Sequence, residues 1–155
     1  EGFSGRDGRT TIFDYWSIDT LCRAEQFQLS DEERRLADMH HRLIDIAKKE
    51  KCVGEGEFFD LMYVNPASEC FNPWSHYAFL RKSGRSTLLV VANFSDNAAK
   101  VEVNIPAHAI EYLHITEGMR KATELLTSAT SSVTISKDCK LPANIPAYGV
   151  AIYKF

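Results

Sequence analysis

No stretch of the sequence approaches the ~18 consecutive apolar residues that a membrane-spanning helix requires. Positive charge is not in excess either: 18 Lys and Arg stand against 21 Asp and Glu, a net charge of −3. Nothing in that balance draws the surface to nucleic acid or to an anionic membrane, and neither is expected as a partner. There is no C-x-x-C. Cys22, Cys52, Cys70 and Cys139 are too scattered for a zinc site, and buried free thiols are expected in preference to disulfides. Helical metal sites place two histidines four residues apart with an acid nearby. His40 and His41 are instead adjacent and point about 100° apart, so no metal is expected, and no cofactor. The early glycines, Gly2, Gly5 and Gly8, read G-x-x-G-x-x-G with no helix directly after them, which is a poor phosphate loop. No signal peptide precedes them, but the chain opens on Glu1 rather than Met. We therefore expect it to be cut from something longer, and its compartment stays open.

What is present suits a packed domain: 155 residues, 45% hydrophobic and 25% charged. One confident helix is expected over residues 29–51. Ser30 with Glu33 forms a capping box, the first turn is acidic and the last basic. Leu36, Met39, Leu43 and Ile46 make one apolar stripe. Gly54 is the expected C-cap. About 20 residues of helix span roughly 30 Å, which is long for a chain offering no second helix to pair with.

Strand signals follow. Residues 87–94 are an almost continuous apolar, β-branched run. Ser95-Asp96-Asn97 favours a turn, and Val101, Val103 and Ile105 then alternate with Lys100, Glu102 and Asn104. That pattern predicts an antiparallel hairpin at the centre of an all-β domain. Further strands are expected at 57–64, 76–81, 110–115, 124–127, 132–136 and 148–155. The turn at 82–85 carries Arg81, Lys82 and Arg85, read as a solvated basic tip. The fold class is thus mainly β: an antiparallel two-sheet sandwich of about seven or eight strands, Greek-key-like, preceded by a loop and one long helix.

Three stretches together resemble the C-terminal end of an α-amylase-family (family thirteen) glycoside hydrolase. Asp7-Gly8-Arg9-Thr10-Thr11-Ile12-Phe13-Asp14-Tyr15-Trp16 is similar to the segment between the eighth barrel strand and the eighth helix of that family's (β/α)8 barrel. Residues 36–54 resemble the eighth helix and its exit. Leu88-Leu89-Val90-Val91-Ala92-Asn93-Phe94-Ser95 and Ile145-Pro146-Ala147-Tyr148-Gly149-Val150-Ala151-Ile152-Tyr153 resemble the β-sandwich behind it. The resemblance implies that residues 1–53 are the end of a catalytic barrel and 54–155 a C-terminal sandwich. It also implies a parent that extends several hundred residues before Glu1. The sandwich would brace that barrel, the partner upstream in the parent chain, and the parent would be a retaining enzyme acting on α-glucans such as starch and maltooligosaccharides.

The chain itself should be inactive. Retaining hydrolysis needs two carboxylates about 5 Å apart, and the family's N-H-D and G-x-R-x-D motifs are absent. Asp14 is the only acid amid the aromatic loop. Arg9, Trp16 and Trp74 are the candidate substrate-binding residues. Trp16 with Phe13 and Tyr15, or Trp74 with Phe71 and Tyr77, could stack on sugar rings; the alternative is that they seal a barrel rim or pack in a core or between domains. Asn93-Phe94-Ser95 is formally a glycosylation sequon, though the resemblance accounts for it as a strand end. Two rival readings stay open, a free-standing glycan-binding sandwich and a sandwich interaction domain with no sugar role. The helix stripe needs cover, from the rest of the chain or from a second copy in a homodimer.

Overall fold

The computed structural model describes residues 19–155, so Arg9, Phe13, Asp14, Tyr15 and Trp16 lie outside the described residues. The chain divides into two compact units, Glu1–Ile44 and Asp45–Phe155. A short helix α1 (Asp19–Glu25) lies in the first and precedes α2 (Asp31–Lys49), which crosses the boundary. The capping box forms as expected: Ser30 N–H donates to Glu33 Oε2 at 2.8 Å and Glu33 N–H to Ser30 Oγ at 3.2 Å. The Ser30 amide and the Arg23 guanidinium hold the Glu33 carboxyl at about 2. None of the α2 residues is buried. Glu50 turns extended and breaks the helix before a single further turn, α3 (Lys51–Gly54). Gly54 is therefore the last residue of that turn rather than a cap. The close approach is at Gly56, where an added Cβ would sit 2.3 Å from the Cys52 carbonyl oxygen.

The second unit is an antiparallel sandwich of eight strands. Six form one sheet in the order β1-β2-β3-β8-β5-β6 and two form the other, β4-β7. Their spans are β1 Glu57–Asp60, β2 His76–Ser83, β3 Ser86–Asn93, β4 Ala99–Ile105, β5 Gly118–Glu124, β6 Thr130–Ile135, β7 Cys139–Ile145 and β8 Val150–Lys154. Leu80, Leu89 and Val91 of the large sheet share one core with Val103, Ile105 and Leu141 of the small one. Of the free cysteines, Cys52 and Cys139 are buried as expected, Cys22 is half-buried and Cys70 exposed.

The expected central hairpin does not form. β3 pairs with β2 and β8, while β4 pairs with β7 in the opposite sheet. β3 is apolar on both faces and takes an interior place with neighbours on both sides. β4 has a single dry face, and the turn at Ser95 carries it out of the large sheet and into the small one. Period-two alternation is the same in either arrangement. Three other expectations are corrected. The strand expected at 57–64 ends at Asp60, and Met62–Val64 is a 3-10 turn. Residues 110–115 are not a strand: Ala107–Tyr112 is a helix, α4, started by Pro106, whose carbonyl accepts from Ala109 and Ile110. Pro in the extended region before alanines favours that start. Residues 125–127 form a turn folded over the Glu124 carboxylate, which accepts the N–H groups of Leu126, Thr127 and Ile152; the strand is β5, just before it. β7 has no counterpart among the expectations because Pro142 obscures it. Pro142 lies opposite Glu102, whose own N–H points away from β7 to the Cys70 carbonyl, so the two are not a hydrogen-bonded pair and the missing N–H costs no ladder bond.

Candidate functional site

The sequence reading singled out Trp74 with Phe71 and Tyr77, and the structure separates them. Phe71 is buried and meets the His76 ring edge-on at 5.4 Å. Tyr77 lies on the outer face of the large sheet in a row with Phe79 (5.8 Å) and Phe58 (5.4 Å from Phe79). Trp74 projects from the loop before β2 and is 91% exposed.

Trp74 has other companions. The starts of β2 and β8 and the end of β3 lie at one end of the sandwich, because His76 pairs with Asn93 and Ala92 with Val150. Each connection there carries one exposed ring: Trp74, Phe94 at 68% and Tyr148 at 73%. Phe94 N–H donates to Ser75 O at 2.8 Å, and Tyr148 N–H to Ser95 O at 2.9 Å, so the three loops are joined in one hydrogen-bonded rim. No ring–ring contact joins the three rings among the described residues. Tyr148 also holds φ +46°, a left-handed conformation that bulky residues adopt only where surrounding contacts enforce it.

Asn93 is the clamp under this rim. It is 2% exposed. Its amide donates to Asn97 O at 2.8 Å and Pro146 O at 3.0 Å, and its Oδ1 accepts from Ser95 N–H at 3.0 Å. Both amide hydrogens are committed inside the fold, which removes the sequon reading. The Trp74 turn has its own lock: Asn72 Oδ1 accepts from Trp74 N–H, and His76 Nδ1 accepts from Asn72 N–H, both at 3.1 Å. His76 is therefore the neutral tautomer with its proton on Nε2.

Burial lowers the His76 pKa below its ordinary 6.5. On unfolding, this imidazole gains a proton that the folded chain refuses, so its contribution to stability is complete above pH 6.5 and declines as pH falls below it. Protonation also removes the acceptor for Asn72 N–H. An NMR titration should find the His76 midpoint below 6.5 and faster exchange of the Asn72 amide at acidic pH; a midpoint above 6.5 contradicts the lock.

At the opposite end, a cleft of about 490 Å³ is lined in part by Lys82, Arg85, His114 and Arg120. Arg81 is not part of any solvated tip: its guanidinium donates to the Cys52 and Val53 carbonyls at 2.8 Å and closes α3. No group of three metal-ligating side chains occurs among the described residues.

Residues 72–155 match the family described as the α-amylase C-terminal all-β domain. No curated protein matches the sequence. Among solved structures, AmyP in complex with maltose is 14% identical with a TM-score of 0.54, covering 81% of this chain and 21% of its own. An Anoxybacillus α-amylase is 19% identical with a TM-score of 0.52, covering 83% of this chain and 23% of its own. The chain spans about a fifth of the length of those structures, and at these identities the likeness is one of fold.

Proposed function

The chain belongs to the α-amylase C-terminal all-β domain family, and on that premise we propose that it is the accessory end of a glycosidase acting on α-glucans, non-catalytic itself and bracing a (β/α)8 barrel. In this reading residues 1–53 are the barrel's last loop and helix and 54–155 the brace. The observation that carries it is the row Phe58–Phe79–Tyr77, a strip of aromatic rings in tilted contact on the outer face of the large sheet, with Phe58 46% and Tyr77 36% exposed. An exposed apolar strip of this kind marks a contact surface. The amphipathic helix α2 agrees with it, since none of its residues is buried. The family and AmyP, which was solved with maltose, support the substrate class.

The test of the accessory role is turnover. The purified chain should release no sugar from starch, maltooligosaccharides or aryl α-glucosides, since hydrolysis needs a carboxylate pair. Activity that survives purification and disappears on Asp14→Asn overturns the reading. The free-standing glycan-binding module is the second reading, and the exposed Trp74 favours it.

A further inference from the structure

We infer that Trp74, Phe94 and Tyr148 form a surface site for an α-glucan chain. The sugar class rests on the reading above; the site rests on its own geometry. A folded chain ordinarily turns large rings inward. These three stay mostly in water, on three connections of one sheet end. Their attachment points belong to adjacent strands β2, β3 and β8, two strand spacings or about 10 Å across. That is the scale of a short oligosaccharide. The rings do not stack on one another, so each offers a free face.

The scaffold is rigid. Asn93 ties the Phe94 turn to Pro146, the Ser95 carbonyl holds Tyr148, and Asn72 with His76 fixes the Trp74 turn. Tyr148 keeps its positive φ within this frame. The ligand chemistry follows from what surrounds the rings. Between 72 and 75, 94 and 97, and 146 and 149, the only charged residue is Asp96. With no cation there, a phosphate-bearing or nucleic-acid ligand finds no partner. A sugar ring presents C–H groups on its faces and hydroxyls at its edge. The aromatic faces suit the first, and the polar side chains of the same turns, Asn72, Asp96 and Asn97, suit the second. A protein partner would be better served by contiguous apolar surface than by rings parted by polar turns.

The experiment is affinity electrophoresis of the whole 155-residue chain in native gels containing glycogen or hydroxyethylcellulose, with circular dichroism confirming that each variant is folded. The wild type should be retarded by glycogen and not by the cellulose derivative. Trp74→Ala and Tyr148→Ala should each weaken retardation about tenfold, the loss expected when one aromatic contact of roughly a kcal/mol or more disappears. Met119→Ala, an exposed apolar residue on β5 at 76%, should behave as wild type. A folded wild type that glycogen does not retard overturns the site. Ring variants that bind like wild type overturn it as well, and equal retardation by the cellulose derivative overturns the α-glucan assignment. None of these results touches the bracing role, which is read from thermal unfolding of the parent polypeptide.

Discussion

Replacing Asn93 by alanine should destabilise the chain by about 1–3 kcal/mol, because it removes the hydrogen-bond partner of several polar groups at once. The Asn97 and Pro146 carbonyls lose their donor, and the Ser95 N–H loses its acceptor. Ser95 Oγ, 2.8 Å from Asn93 Oδ1, loses a partner as well. Each unsatisfied buried group costs about 1–3 kcal/mol, moderated where a loop can open to water. Asn93 itself is 2% exposed, whereas Ser95 is half-buried and Asn97 and Pro146 are exposed, so water takes over part of what the side chain supplied. Asn93→Asp is a sharper variant: it keeps the acceptor for Ser95 but replaces the amide that serves Asn97 and Pro146. Urea denaturation followed by circular dichroism measures both. A cost below about 1 kcal/mol for the alanine variant would mean that the three loops do not depend on this residue.

Helix α2 was legible because its signals are local. Ser30 and Glu33 are three residues apart, and the bonds between them form whatever the rest of the chain does. Strand existence was largely legible for the same reason, through period-two alternation. Pairing was not. Whether β3 and β4 share a sheet or face each other across a core depends on β7 and β8, some 50 residues on, and the turn at Ser95-Asp96-Asn97 serves either outcome. β5 stayed hidden because, of its seven residues, only Ala122 and Glu124 are buried, so it shows almost no apolar alternation. Glu124 in particular reads as a surface acid, yet it sits at 7% exposure holding the following turn and β8.

The candidate site was half legible. Trp74 stood out by residue type, but Phe71 and Tyr77 were grouped with it by sequence distance; Phe71 enters the core from the segment before β2, and the β2 pleat turns Tyr77 to an outer face. Its true companions left a usable signal. Phe94 sits beside Ser95-Asp96-Asn97, and Tyr148 lies between Pro146 and Gly149; a ring placed inside turn residues has little core to enter. Reading those two positions as exposed would have led to the rim without a structure.

The proposed bracing role makes a prediction for a polypeptide in which this chain follows a barrel. Covering the row of Phe58, Tyr77 and Phe79 against a barrel gains back the water-exposed part of three large side chains. Each is worth roughly 1.5–3 kcal/mol when fully buried, so about 3–5 kcal/mol is at stake for the partly exposed row. The most direct measurement is calorimetry of the parent with and without residues 54–155. Removing the sandwich should lower the barrel's unfolding temperature by at least about 5 °C and shorten its active half-life on heating. An unfolding temperature and half-life unchanged by the truncation would contradict the account.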